Sequence, residues 1–379
     1  MRYIKKLTDI SQLSDAERTA LQPVTELFAF RVTDYYLKLI DWNDPADPIR
    51  QLVIPRPEEL NAWGELDASN EAANTVMRGV QHKYPDTALL LCNEVCGAYC
   101  RYCFRKRLFM NENDEASKDL SEGLAYIRAH PEITNVLLTG GDPLLLSTRR
   151  LKEIIDALRG IDHVKIIRIG TKMTAFNPFR VLDDPALVEL FAKDSTAEKR
   201  IYMMNHFDHP RELTGEAVQA LDRLIRAGVI MTNQCPMIAG INDDPAVLSD
   251  LFRRLSWIGC PPYYVFQGRP TAGNDPYKVP IVRGWEIFRE ALRYGSGLAR
   301  RARFVMSHET GKIEILGVDE KQIYLRYQRA KDADLRGRFL VYQRNDDAYW
   351  LDDLVPVKGG NAPLFPHETP AEMAISGPE

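Results

Sequence analysis

The sequence has no long apolar run. Nothing in its 379 residues approaches the roughly 20 consecutive apolar residues a membrane-spanning helix needs, so no membrane partner is expected. It also lacks a strong excess of either charge. Forty-nine Lys and Arg stand against 53 Asp and Glu, a formal net charge of −4, which favours neither nucleic acid nor an anionic lipid surface. The opening MRYIKKLTDI has no apolar stretch behind its basic residues. It does not read as a secretory signal, and a cytoplasmic location is expected. Cysteine is scarce, with six residues, four of them within twelve positions. That clustering does not fit a disulfide framework spread along a small secreted chain. What remains is ordinary globular composition, 45% hydrophobic and 27% charged, in a chain long enough for one large core with appendages.

The chain divides by texture. Residues 1–86 are rich in polar helix formers broken by prolines such as Pro45, Pro48, Pro55 and Pro57, which predicts an N-terminal helical appendage. From 87 to 303, short apolar runs alternate with helix-like segments. The runs are 88–91, 135–139, 164–169, 200–205, 229–233 and 262–267. The segments between them include 116–129, 149–158, 184–193, 214–227 and 244–257. In one of these, apolar residues at 218, 221, 224 and 225 have helical spacing. Six such units predict parallel βα architecture, either a partial barrel or an open doubly wound sheet. Residues 304–356 read as strands at 312–316, 322–327, 338–342 and 348–351, a small antiparallel meander. Residues 357–379 are rich in Gly and Pro and are expected to be disordered.

Cys96, Cys100 and Cys103 follow the first apolar run at spacings of four and three. They therefore sit on a loop at a strand's C-terminal end, the edge where βα folds bind ligands. Three thiolates on one loop can hold three irons of a cubane, leaving the fourth iron open for chemistry. A structural zinc site normally takes four ligands, often as two pairs. Cys92 lies inside the apolar run, and no second pair follows. Cys235 and Cys260 read as core thiols.

The spacing C-x3-C-x2-C, with Tyr102 before the last cysteine, resembles the radical S-adenosylmethionine (radical SAM) superfamily. The surrounding residues are similar to the lysine 2,3-aminomutase family from about 30 to 316. Landmarks include Asp47-Pro48-Ile49-Arg50, His82-Lys83-Tyr84-Pro85-Asp86, Thr139-Gly140-Gly141-Asp142-Pro143, Ile167-Arg168-Ile169-Gly170, His206-Phe207-Asp208-His209-Pro210 and Gly240-Ile241-Asn242-Asp243. The resemblance implies a partial (β/α)6 barrel and a [4Fe–4S] cluster on Cys96, Cys100 and Cys103. It implies S-adenosyl-L-methionine (SAM) chelating the open iron. An electron from a donor such as flavodoxin or ferredoxin then breaks a carbon–sulfur bond, giving methionine and a 5′-deoxyadenosyl radical.

Gly140, Gly141 and Asp142 end the second strand. An ordinary glycine turn would look the same, but beside the cysteines these residues are expected to bind the SAM amino group. Tyr102, His206 and Gln234 match family positions at the SAM site. A satisfied polar residue at a barrel rim is the plain alternative for the last two. The family also uses pyridoxal phosphate (PLP), a lysine carrying it behind a glycine-rich loop. Lys312 matches that lysine if one residue is deleted, although only Gly311 remains of the glycines. The two arginines on the PLP phosphate correspond to Lys83 and Thr87, so one charge is kept and one lost. Arg105 matches the arginine that grips the substrate carboxylate. Where lysine-using members place two aspartates on the distal ammonium, this chain has Arg269 and Ser307. An ammonium facing Arg269 would be repelled, so the expected substrate is an amino acid with an anionic or neutral distal group, unless Arg269 points to solvent. An aminomutase, an isomerase regenerating SAM, is the leading reading. A PLP-independent radical SAM enzyme on another small molecule or a peptide is the alternative, and a non-catalytic iron–sulfur or zinc protein is a third. The meander is expected to wall the barrel mouth or to make a homo-oligomer contact.

Overall fold

The computed structural model describes residues 1–110 and 114–358. A short antiparallel pair joins β1 (Tyr3–Ile4) to β2 (Val32–Thr33). The remaining strands form one sheet whose spatial order is the chain order: β3 (Thr75–Met77), β4 (Val80–Tyr84), β5 (Thr87–Asn93), β6 (Asn135–Gly140), β7 (Ile166–Thr171), β8 (Ile201–Asn205), β9 (Ile230–Pro236), β10 (Pro262–Phe266), β11 (Arg303–His308), β12 (Gly311–Val318), β13 (Gln322–Ala330) and β14 (Phe339–Gln343). From β5 to β11 every neighbouring pair is parallel. The flanks, β3–β5 and β11–β14, are antiparallel. Among the described residues the sheet does not close, and β3 and β14 are its edges.

This is the open, mostly parallel α/β architecture expected, with one strand more than the six counted. β11 runs parallel to β10, with helix Ile281–Arg293 lying between them in the chain, as the crossover between parallel strands requires. Residues 303–308 therefore continue the parallel sheet instead of opening a separate meander. Helices cover its outer face. Gly215–Arg226 buries Ala217, Ala220, Leu221 and Leu224, and Thr214 caps its start by accepting a hydrogen bond from the Ala217 N–H. On β7 and β9 burial alternates. Ile167, Ile169, Met231 and Cys235 are fully covered, whereas Arg168, Gly170, Thr232 and Gln234 share the less buried face. That period of two gives the sheet an apolar side for the helices and a more polar side for a site.

Residues 1–86 are more than a helical appendage. Helix Asp15–Leu27 is present, with a Ser14/Glu17 capping box, but β3 and β4 belong to the main sheet. Ile49, Leu52 and Val53 share a buried cluster with Ala98, Tyr102, Phe176 and Tyr277. The strand expected at 348–351 is also absent. The Asp353 carboxylate accepts the Tyr349 and Trp350 N–H groups, both 2.9 Å, and Leu351–Asp353 is a 3₁₀ turn. Beyond 358 the expected disordered tail lies outside the described residues. Among the described residues no helix is long and apolar enough to cross a membrane.

Candidate active site

The cysteine loop leaves β5 and crosses the C-terminal edge of the parallel strands, gripped from two sides. On one side lies Gly140-Gly141-Asp142. The Gly141 N–H donates to the Asn93 carbonyl at 2.6 Å and the Asp142 N–H to the Val95 carbonyl at 2.9 Å. A β-carbon on Gly141 would lie 2.4 Å from the Val95 oxygen, and one on Gly140, whose φ is +112°, 2.5 Å from the Asn93 oxygen. The two glycines thus admit the cysteine loop itself. The buried Asp142 carboxylate accepts from Thr171 Oγ1 at 2.8 Å, the Lys172 N–H at 2.7 Å and the Leu144 N–H at 3.0 Å. Burial lifts its pKa to about 6. Asp142, expected at the SAM ammonium, pins the end of β6 to the end of β7.

On the other side is the N-terminal segment. The Tyr99 and Arg101 N–H groups donate to the carbonyls of Arg31 and Leu52, both at 2.9 Å. The Arg101 side chain, inside the cysteine motif, is fully buried against Glu59, with Nη2–Oε2 at 2.7 Å and Nε–Oε1 at 3.0 Å.

Cys96, Cys100 and Cys103 are all free thiols. Burial pushes each up, and for Cys96 the neighbouring Asp142, Cys103 and Cys100 add to the rise. Lys172 favours the charged form of Cys100, and Arg105, Lys106 and Arg107 that of Cys103, and a metal that replaces the proton removes the remaining cost of burial. Among the described residues no three Cys, His, Asp or Glu converge on a single-ion site. A cubane asks for no such convergence, since each thiolate takes a different iron. The donor set therefore fits a cluster.

Beneath the loop is a buried polar network that joins the expected Tyr102 and His206 to Tyr36, Lys172 and Glu212, which sequence reasoning did not assign to a site. Lys172 Nζ donates to Asp208 Oδ2 at 2.7 Å and pairs with Glu212 Oε1 at 2.7 Å. Tyr36 Oη donates to Glu212 Oε1 at 2.6 Å. Tyr102 Oη donates to Asp208 and lies 3.2 Å from His206 Nε2, which is 3.0 Å from Asp208 Oδ1. Tyr102 and His206, both predicted, thus meet next to Cys100, whose charge Lys172 favours against burial. His206 is 27% exposed and the network's accessible member. Gln234 is on the less buried face of β9 and makes no hydrogen bond to this group.

Arg105 and Arg269 do converge, on a carboxylate from the chain itself. Arg105 grips Glu71 with Nε–Oε2 and Nη2–Oε1 both at 3.0 Å. Arg269 Nη1 lies 3.2 Å from Glu71 Oε1 and its guanidinium stacks 3.9 Å over the Phe104 ring. Arg107 Nη2 completes the trio at 2.7 Å. Arg269 is 18% exposed and faces inward. Burial raises the Glu71 carboxyl, but the three guanidiniums, Arg105 foremost, hold it well below the usual carboxylate range. Glu71 lies in a polar stretch with no pattern to mark it. Ser307 sits on β11, where its carbonyl accepts from Ser69 Oγ at 3.0 Å.

Lys312 lies on the same side of the sheet. Its amine rests 4.3 Å from the Tyr264 ring centre and 4.6 Å from that of Phe266. Burial, with Arg168, Arg269, Arg329 and Lys83 around it, pushes the amine well below the usual lysine range. Burial and Arg269 likewise bring Lys83 down to about 8, and its Nζ donates to the His308 carbonyl at 2.5 Å. An amine whose charged form is disfavoured is a readier nucleophile for an aldehyde. Cations gathered round it suit an anionic ester. The residues fit PLP. Thr87, the expected missing arginine, accepts from Arg329 Nη2 at 3.3 Å. Arg168 and Arg329 are pocket residues that sequence reasoning did not single out.

Comparison with known proteins agrees with this geometry. Residues 91–251 match the Radical SAM superfamily. The chain is 57% identical over 354 residues to an Aquifex aeolicus (strain VF5) protein provisionally described as an L-lysine 2,3-aminomutase, covering 93% of this chain and 95% of that one. It is 35% identical to the L-lysine 2,3-aminomutase of Clostridium subterminale, covering 78% and 70%. It is 34% identical to the glutamate 2,3-aminomutase of Clostridioides difficile (strain 630), covering 78% and 69%.

Proposed function

Because the chain belongs to the lysine 2,3-aminomutase family of radical SAM enzymes, with the [4Fe–4S] cluster and SAM that family implies, we propose that it shifts the amino group of an amino acid with an anionic or neutral distal group, using PLP on Lys312. When bound, the cluster and SAM supply one-electron bond cleavage, and PLP supplies an aldehyde carbon that can carry a migrating amino group. The chain's residues aim and enclose these groups. Cys96, Cys100 and Cys103 hold the cluster, while Tyr102 and His206 border it on the pocket side. Arg105, whose nitrogens are held by Glu71 and the Thr139 hydroxyl, reaches the α-carboxylate by exchanging one of these partners. Desolvation and four neighbouring cations disfavour the charged form of Lys312, which favours its attack on an aldehyde.

The observation that carries the substrate reading is the grip of Arg105 and Arg269 on Glu71. The pocket already binds a carboxylate, and that carboxylate is shared among three arginines. A lysine side chain would bring its ammonium to Arg269 with no unshared buried acid beside it. Like charges 4 Å apart repel by roughly 4 kcal/mol at an effective dielectric of about 20. An acidic distal group would instead be attracted by Arg269, with Glu71, 3.2 Å from that guanidinium, held in place by Arg105 and Arg107.

The test is a screen of amino acids with anaerobically reconstituted protein, SAM, PLP and a reductant, followed by NMR of the products. Acidic or neutral amino acids should yield the β-isomer while lysine stays unchanged. Turnover of lysine with acidic amino acids inert would refute the substrate reading. Release of 5′-deoxyadenosine at the same rate with and without PLP would favour the PLP-independent alternative.

A further inference from the structure

The threonine at 87 leaves the pocket one arginine short on a phosphate, yet the structure brings another arginine to that threonine. β12 and β13 pair antiparallel with Lys312 opposite Arg329. Directly opposed residues present their side chains on the same face of a sheet, so the hairpin delivers the amine and the guanidinium together. Two features fix this pairing. The register shifts between Lys312 and Ile313, whose partners are Arg329 and Tyr327, which leaves Gln328 as an extra residue. Such a bulge re-aims side chains near a site, and Gln328 accepts a hydrogen bond from Tyr264 Oη at 2.8 Å. A β-carbon on Gly311 would stand 2.3 Å from the Arg329 carbonyl oxygen, so only glycine lets β13 approach this closely. The Arg329 guanidinium lies 4.1 Å over the Tyr84 ring. Nη2 reaches Thr87 Oγ1 and pairs with Asp86.

We propose that Arg329 is a phosphate-binding residue of the Lys312 pocket. It acts with Lys83 and fills from the C-terminal hairpin the role that Thr87 cannot. This rests on the reading that PLP binds at Lys312, and it assigns the hairpin a place in the active site. The plain alternative is a surface arginine serving Asp86. The two side chains are 32% and 59% exposed, so the acid is the more solvated partner and can release the guanidinium to a doubly charged ester. Arg329 has five N–H donors, enough to hold Thr87 and a phosphate together.

The experiment titrates the full-length, cluster-loaded protein with PLP and separately with pyridoxal, which lacks the phosphate, following visible absorbance. Borohydride trapping and peptide mass confirm attachment at Lys312. Wild type should bind PLP far more tightly than pyridoxal. Arg329→Gln should lose roughly 10–100-fold of the PLP affinity, the scale of one charge-assisted contact, and keep its pyridoxal affinity. Arg329→Lys should fall between. Asp86→Asn, which removes the ion pair and spares the guanidinium, should keep or tighten PLP binding. The proposal is overturned if Arg329→Gln binds PLP as wild type does, if it loses both ligands equally, or if Asp86→Asn loses as much as Arg329→Gln. Wild type that binds no PLP overturns both the proposal and the reading beneath it, whereas the other failures leave that reading standing.

Discussion

At the residue scale the pocket is decided by charge. Arg105 and Arg269 share Glu71, and in the proposed reading Arg269 is the cation that meets a substrate's distal end. Arg269→Gln should raise the KM for an acidic substrate roughly 10–100-fold, the cost of one hydrogen-bonded charge, with iron content unchanged, as steady-state kinetics and iron assay would show. Lys83 gives a pH signature. Its folded pKa is lowered to about 8 from an unfolded value near 10.4. Charging it in the fold is therefore a penalty present below pH 8. Stability from this group rises with pH between about 8 and 10. Anion binding runs the other way, because only the ammonium attracts a phosphate. PLP affinity should therefore fall as pH rises from 7 to 9 in wild type, and the fall should shrink in Lys83→Arg, measured by the same absorbance titration. The cysteines, Lys312, Arg105 and Arg269 were legible because a motif or a family position marks each. Glu71, Lys172, Glu212 and Arg329 were not. A buried acid between arginines, or an arginine opposite a lysine across a hairpin, is a tertiary relation that leaves no local pattern.

At the scale of elements, the alternation of apolar runs and helices gave away the parallel strands, because each strand is covered by helices on one side and its apolar residues recur. The strand at 303–308 was not singled out and fell within the strand-rich region 304–356, because the chain turns antiparallel immediately after it. The segment at 348–351 looked like a strand from its aromatic residues, but Asp353 takes the N–H groups a ladder would need. The glycine pair at 140–141, expected to bring the backbone close to the SAM amino group, admits the cysteine loop in the structure. Gly141→Ala should therefore displace that loop, since its new β-carbon meets backbone atoms of Val95 that cannot turn aside. The expected result is a sharp loss of bound iron per chain with the far-UV circular dichroism retained, and a destabilisation of about 1–3 kcal/mol in denaturant unfolding.

For the whole molecule, the N-terminal segment and the C-terminal hairpin close on the same site from opposite ends of the chain. The first brings Glu59 to Arg101 and Glu71 to Arg105, and the second brings Lys312 and Arg329. Removing one partner of the buried Glu59–Arg101 pair strands a charge in the core. Glu59→Gln should cost about 3–5 kcal/mol of global stability, read as a shift of the urea midpoint, and should lower cluster content as the loop loosens. Everything else depends on that loop carrying a cubane. The most direct measurement is iron and acid-labile sulfide per chain in anaerobically purified protein, with 5′-deoxyadenosine assayed after SAM and dithionite are added. Four irons and four sulfides, release of 5′-deoxyadenosine, and loss of both when Cys96, Cys100 and Cys103 are changed to alanine are the predicted outcome. Zinc in place of iron, or iron retained without the three thiols, would contradict the account.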